Sequence, residues 1–178
     1  DAMGDLALAA LVAILLVYMV MAIQFQSLVY PLIILMTIPL AFTGGLIALL
    51  IADMNLSMVS LMGFIILIGI VVNNGIVLID YINKLREKGY KIKDAIVEAG
   101  KTRLRPILMT ALTTILALIM TAIGFGEGSE LLQPMAVTAI GGLIYATILT
   151  LVVVPTVYAM LNRKKIKEEG QVNAINEG

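Results

Sequence analysis

The sequence predicts an all-α fold: a polytopic membrane helix bundle of five transmembrane helices, with one short amphipathic helix on the cytoplasmic side. Of the 178 residues, 61% are hydrophobic and only 13% are charged, and the mean hydropathy is +1.04. Soluble domains are nearer half apolar and a quarter charged. A bilayer core about 30 Å thick needs roughly 20 apolar residues in helical form. Five runs reach that length, and helices satisfy their own backbone hydrogen bonds in lipid.

These runs define a transmembrane domain over residues 1–162. Proline supports the boundaries, because Pro31, Pro106 and Pro134 lie in predicted first turns, where a missing N–H costs little. Pro39 falls inside the second span and predicts a kink. The predicted spans are about 6–25, 31–52, 57–82, 104–125 and 134–161.

Small residues within the spans predict close helix packing. Ala41 with Gly45, and Gly142 with Ala146, have the small-xxx-small spacing that lets two membrane helices approach. The glycines assigned to helix packing are Gly44, Gly45, Gly69, Gly141 and Gly142.

The distribution of positive charge predicts the topology. All twelve Lys and Arg lie within Lys84–Arg105 or Arg163–Lys167. By the positive-inside rule, both segments face the cytoplasm, so five spans put the N-terminus outside. The sequence therefore predicts a multi-pass protein of the cytoplasmic (inner) membrane, and its spans are expected to contact the lipid bilayer.

The basic loop has a helical pattern of its own. Ile92, Ala95, Ile96 and Ala99 follow i, i+3, i+4, i+7 spacing, and Gly100 is a helix stop signal. This pattern favours an interfacial helix over about 91–100, and a solvated connector is the alternative. The basic and polar tail, residues 163–178, is predicted to be cytoplasmic, and its part after Lys167 is predicted to be disordered.

The composition argues against several classes of function. The chain has no Cys and no His, which removes thiolate metal sites and imidazole chemistry. It contains no nucleophile–base constellation, phosphate loop or metal cluster, so we expect neither an enzyme nor a cofactor or metal. The basic residues are explained by the inner membrane face, so no nucleic-acid partner is expected.

Two adjacent amides interrupt the third span. Asn73 and Asn74 each cost free energy in lipid unless they find partners. Asn73 is four residues after Gly69 and seven before Asp80, so these three share a helix face. Asn74 is rotated about 100° from Asn73, so the two amides face different surroundings.

The fourth span carries a matching polar stripe: Arg103, Thr110, Thr114, Ala117 and Thr121. Its structural interpretation is interhelical hydrogen bonding, and its functional interpretation is the wall of an ion or proton path. Asp80 lies near the cytoplasmic end of its helix, where it is predicted to be an interface anchor that reaches water or pairs with Arg103 or Arg105. No ionisable group is then left at mid-depth in the five spans.

Four strings carry a family resemblance: "QFQSLVYPLIILMTIPLAFTGG", "GIVVNNGIVLIDYIN", "RLRPILMTALTTI" and "GGLIYATILTLVVVPTVYAML". In this order they resemble the C-terminal membrane half of resistance-nodulation-division (RND) transporters, and among these the AcrB-like hydrophobe/amphiphile efflux pumps. The resemblance covers about residues 6–161. It implies the last five of twelve spans, in a homotrimer that exports drugs and detergents using the proton-motive force. A periplasmic adaptor and an outer-membrane channel are possible further partners.

The resemblance also implies an ion-coupling site. Its acidic pair lies in the N-terminal half, which would be the partner of this chain. The family's threonine position corresponds to Thr110 and its arginine position to Arg103. We add Thr114 and Asn74 to the candidate relay from the polar pattern of the two spans, with Asn74 expected to pack or bond away from Asn73. The family's lysine position is occupied by Asn73, a departure that leaves the coupling ion open. A neutral amide cannot change its charge, but it can hydrogen-bond a carboxylate.

Two other interpretations remain at this point. A protein-export helper of the SecDF kind has a similar pair of spans, although it lacks the RLRP entry and carries Asp where Asn74 stands. A structural or truncated membrane subunit would need no coupling site of its own. A heavy-metal efflux branch is less favoured, because no Met pair or acidic residue occupies mid-span.

Overall fold

A computed structural model describes residues 2–126, 128–163 and residue 166. Five stretches in it are long and apolar enough to cross a membrane, and the described residues contain no strand. The predicted all-α bundle is therefore confirmed. The tail predicted to be disordered, residues 168–178, lies outside the described residues. The helices are α1 Ala2–Phe25, α2 Val29–Leu35, α3 Thr37–Ile51, α4 Met58–Glu87, α5 Ile92–Ala122 and α6 Ser129–Leu161.

The last helix, α6, is the centre of the bundle. It packs against α3, α4 and α5, whereas α1 touches only α2 and α4. As a result α1 and α5 are mostly exposed along their spans, while α3, α4 and α6 are roughly half buried. The six helices thus leave two broad faces that no other part of the described chain covers.

The two ends of the bundle differ in charge. The basic end carries the 26–28 and 88–91 connections and the end of α6. The ring of Tyr30 stacks on that of Tyr158 there, with centroids 5.5 Å apart. The far end carries the 52–57 and 123–128 connections. The 26–28 connection contains no Lys or Arg, so the charge asymmetry comes entirely from the 84–105 segment and the end of the chain.

The second span is two helices rather than one kinked helix. α2 ends at Leu35 and α3 begins at Thr37, one turn before the kink-forming Pro39. The cause is the imide nitrogen of Pro39, which has no hydrogen to donate to the Leu35 carbonyl and whose ring crowds that oxygen. Pro39 therefore interrupts the helix about one turn towards the N-terminus, at the end of α2.

The interfacial helix does not stop at Gly100, contrary to the prediction. α5 runs without interruption from Ile92 to Ala122, so the amphipathic segment forms its first turns. Ile92, Ala95 and Ala99 are almost fully buried there. Their burial outweighs the roughly 1 kcal/mol that glycine costs inside a helix. Pro106 consequently lies inside α5 rather than in a first turn.

The start of the fifth span was also predicted too late. α6 begins at Ser129, so Pro134 is inside the helix. The first residues of α6, which precede Pro134, lie at the far end of the bundle. Among them, Gln133 Nε2 donates to the Ala122 carbonyl at 2.8 Å. This bond ties the start of α6 to the end of α5.

Glycine lets α3 and α6 approach each other closely. A Cβ atom on Gly44 would collide with Tyr145, and one on Gly141 would collide with Ala48. Likewise, the Leu67 side chain occupies the space where a Cβ atom of Gly142 would lie, and the Phe64 ring occupies that space at Gly45. Gly69 differs from the prediction, because nothing lies within 4 Å of its Cβ position. It lies on the exposed face of α4 and packs against none of the other described helices.

Two clusters of buried apolar side chains form the core. The basic-end cluster is built around Ile34, Leu78, Ile82, Ile92, Val154 and Tyr158. The far-end cluster consists of Ala41, Phe64, Leu67, Val71, Ala111, Leu143 and Ala146.

Candidate functional site

The two adjacent asparagines of α4 lie in different environments, as the helical rotation between them requires. Asn73 is exposed, whereas Asn74 is only 6% exposed and faces the inside of the bundle. Asn74 therefore does not share the face on which a relay with Asn73 was predicted. A polar side chain at mid-span on an uncovered face is the first candidate for function.

Asn73 belongs to a continuous exposed stripe along α4. Towards the far end the other members of the stripe are apolar or small side chains. At the basic end the stripe finishes with two charged side chains. Asn73 is the single amide in this stripe. The exposed members from the far end are Met58, Met62, Ile66, Gly69 and Asn73, followed by the half-exposed Asp80 and the exposed Lys84.

The threonines of α5 lie on a second uncovered face. Thr110 and Thr113 are exposed, and Thr114 is half-buried. The Thr110 hydroxyl donates to the Pro106 carbonyl at 2.8 Å, and the Thr114 hydroxyl donates to the Thr110 carbonyl at 2.9 Å. Such bonds to the preceding turn use the hydroxyl hydrogen. The oxygens retain lone pairs, so this face can accept hydrogen bonds from a partner.

Arg103 is held at the basic end of α5. Its guanidinium carbon lies 4.6 Å from the centroid of the Tyr81 ring, a cation–π geometry. Its Nε is buried and has no hydrogen-bond partner among the described residues. The Arg103 side chain thus packs against the Tyr81 ring of α4 rather than beside a carboxylate.

Asp80 pairs with neither arginine, which corrects the pairing predicted for it. Its Oδ2 accepts a hydrogen bond from Lys84 Nζ at 2.7 Å, one turn along the same helix. The Lys84 side chain is 60% exposed and that of Asp80 33%, so the pair contributes little to stability. Its location at the basic end agrees with an interface anchor.

Sequence reasoning missed a second set of polar groups, on α6. Thr147 and Thr150 are 5% and 1% exposed. Their hydroxyl oxygens have no hydrogen-bond partner in the described part of the chain. Their i, i+3 spacing on the buried side of α6 was a usable signal, but a threonine among apolar residues also occurs as ordinary packing. Among the described residues no group of three or more His, Cys, Asp or Glu could hold a metal ion.

Comparison with known proteins identifies the family. A model described as the AcrB/AcrD/AcrF family matches residues 1–162. The chain belongs to this family of RND transporters. The match covers every described span, so the four strings that carry the resemblance are part of one continuous family domain.

Proteins similar to this chain have names that refer to different functions. The swarming motility protein SwrC of Bacillus subtilis is 44% identical over 171 residues, 96% of this chain and 16% of its own. The cobalt-zinc-cadmium resistance protein CzcA of Cupriavidus metallidurans is 40% identical over 86% of this chain and 14% of its own. The multidrug resistance protein MdtC of Erwinia tasmaniensis is 40% identical over 86% of this chain and 15% of its own.

A solved structure shares the fold. The crystal structure of a heavy metal efflux pump matches with a TM-score of 0.79 and 38% identity, over 88% of this chain and 15% of that chain. The chain thus spans about one sixth or less of the length of these relatives. It corresponds to a membrane portion of such transporters.

Proposed function

We propose that this chain is the C-terminal membrane portion of an RND efflux transporter that uses the proton-motive force to export hydrophobic or amphiphilic compounds. Family membership supports the efflux class, and the multidrug relatives support the class of substrate. In this proposal the chain catalyses no reaction. It contributes one wall of the site that couples ion movement to transport.

The exposure of Asn73 is the observation that carries this proposal. An amide that faces hydrocarbon without a partner is costly, yet Asn73 lies on the uncovered stripe of α4. A partner helix that carries carboxyl groups would remove this cost. We therefore assign the uncovered faces of α4 and α5 to the N-terminal half of the same transporter, with its acidic pair opposite Asn73.

The roles of the residues follow from their chemistry. The amide of Asn73 can donate to an ionised carboxylate or accept from a protonated one. Thr110 and Thr114 present oxygens that can accept, since their hydrogens are used within α5. Arg103 supplies a fixed positive charge at the basic end. Because Asn73 carries no charge, charge changes at the coupling site fall to the acidic pair alone.

The proposed assembly follows the family. The chain would function in a homotrimer in the cytoplasmic membrane, with the N-terminus outside and the C-terminus in the cytoplasm. A periplasmic adaptor and an outer-membrane channel are proposed as partners. The exposed polar side chains of Asn73, Thr110 and Thr113 support further helices packing against this bundle, because lipid alone would cover apolar surface equally well.

Metal-ion efflux is the second candidate, and two findings favour it. CzcA is a 40% identical relative, and the matching crystal structure is that of a heavy metal efflux pump. Export of a panel of detergents and dyes, compared with resistance to cobalt, zinc and cadmium salts, separates the two in a strain that lacks its own RND pumps. Protection against the metals alone would overturn the amphiphile proposal.

The coupling role is tested by Asn73→Leu in the complete gene product. We expect transport to fall at least tenfold with unchanged protein level and oligomeric state, because leucine cannot bond the acidic pair. Ile66→Leu, two turns away on the same stripe, is the matched control and should transport normally. Normal export by Asn73→Leu would reject the coupling role and favour a membrane subunit without one.

A further inference from the structure

A layer of polar side chains crosses the middle of the bundle, on the inner side of the helices. Its members are Thr37 on α3, Asn74 on α4, and Thr147 and Thr150 on α6. All four are more than nine-tenths buried. We call this set the polar layer. It is distinct from the outward-facing stripe that carries Asn73.

Helix register places Asn74, Thr147 and Thr150 at one level. Tyr158 bonds to Asn83, 75 residues away, and the same separation relates Gly63 to Thr138 and Leu67 to Gly142, which are also in contact. α4 and α6 therefore run parallel in a constant register. Asn74 lies opposite the turn of α6 that carries Thr147 and Thr150.

The apolar clusters agree with this register. On α4, Asn74 comes between Val71 of the far-end cluster and Leu78 of the basic-end cluster. On α6, Thr150 comes between Ala146 of the far-end cluster and Val154 of the basic-end cluster. On α4 the two clusters overlap, because Ile68 and Val72 also belong to the basic-end cluster, whereas on α6 Thr147 and Thr150 lie at the junction between them.

The hydroxyls of Thr147 and Thr150 are unusual for membrane threonines. Six other threonines of this chain donate to the carbonyl four residues earlier: Thr43, Thr110, Thr113, Thr114, Thr138 and Thr156. Thr147 and Thr150 do not, and their oxygens find no partner among the described residues. A buried polar atom without a partner is unfavourable unless something bonds to it.

We infer that the polar layer holds ordered water, which bridges the Thr147 and Thr150 hydroxyls of α6 to the Asn74 amide of α4. Buried waters bond two to four groups that otherwise lack partners. Hydroxyls and amides both donate and accept, which suits water. The described members of the layer carry no charge, which disfavours a bare cation at mid-membrane. This inference does not depend on the proposed transport activity.

X-ray radiolytic footprinting of the complete gene product in lipid nanodiscs tests the inference. Bound water yields hydroxyl radicals that oxidise adjacent side chains within milliseconds, even in a dry core. We expect oxidation of Leu143 and Val154, which lie one turn from Thr147 and Thr150 on the same side of α6. The double variant Thr147→Val, Thr150→Val should lower this oxidation at least fivefold.

Two further variants make the result specific. Thr138→Val removes an equally buried hydroxyl that already bonds to Pro134, and it should leave the oxidation unchanged. Thr147→Ser with Thr150→Ser keeps both hydroxyls and should retain it, even where the valine pair fails to fold. Absence of oxidation at Leu143 and Val154 in the unmodified protein would overturn the inference. A decrease as NaCl is raised would also overturn it, since the occupant would then be a cation.

Discussion

The hydroxyl of Tyr158 on α6 donates a hydrogen bond of 2.9 Å to Asn83 Oδ1 on α4, and the ring of Tyr30 stacks on the Tyr158 ring. Tyr158 is only 2% exposed. One side chain therefore joins α2, α4 and α6 at the basic end, and it fixes the parallel register of α4 and α6. In this position a hydrogen bond does more than add stability, because it selects one alignment of two long apolar helices.

Tyr158→Phe should lower the free energy of unfolding by about 1 kcal/mol, the usual net value of a buried hydrogen bond. The ring stack with Tyr30 remains, while Asn83 loses its donor. Thermal stability in detergent, followed by the fraction that stays monodisperse after heating, measures the change.

Tyr18→Phe is the matched control for this substitution. The Tyr18 hydroxyl donates to the Leu28 carbonyl at a longer 3.3 Å and in an exposed position, so its loss should change the melting temperature little. Equal losses in the two variants would contradict the special role assigned to Tyr158.

The glycine contacts predict opposite effects of one added methyl group at two sites. Gly141→Ala should destabilise the protein by about 1–3 kcal/mol, in the range found for overpacked cores, because its Cβ would collide with Ala48 of α3. Gly100→Ala should stabilise it by roughly 0.5–1 kcal/mol, because it removes a glycine from the interior of α5, where nothing lies within 4 Å.

The same heating assay compares the two alanine variants directly. Stabilisation by Gly141→Ala would mean that α3 and α6 are not in close contact there. Destabilisation by Gly100→Ala would mean that α5 is interrupted at this residue, as the stop signal in the sequence had suggested.

The spans could be predicted from the sequence, since about 20 consecutive apolar residues have few other uses. Boundaries were harder, because they depend on tertiary contacts. Gly100 is a stop signal by local propensity, yet the burial of Ile92, Ala95 and Ala99 continues the helix through it. For Pro39 the position of the disruption is set by the carbonyl of Leu35, which only the helical hydrogen-bond pattern identifies.

The candidate site was predictable only in part. The rotation between Asn73 and Asn74 follows from helix geometry, but which amide faces outward depends on where the other helices pack. The sequence also could not decide whether Asp80 pairs with Lys84 or with an arginine, because the long side chains of lysine and arginine could each reach its carboxylate. Thr147 and Thr150 were not identified from the sequence, because apolar neighbours do not indicate whether a threonine hydroxyl bonds to a carbonyl of its own helix.

The orientation in the membrane remains a prediction, and single cysteines can test it because this chain contains none. In a gene product without other cysteines, Asn55→Cys at the far end should react with an impermeant maleimide in intact cells, provided that the reagent reaches the outer face of the membrane. Lys88→Cys at the basic end should react only after the membrane is opened, as the positive-inside rule requires.

Leu28→Cys is the most informative position. Its connection carries no Lys or Arg, but the stack of Tyr30 on Tyr158 puts it at the basic end. It should therefore behave like Lys88→Cys, and labelling of Leu28→Cys together with Asn55→Cys in intact cells would contradict the arrangement of α1 and α2.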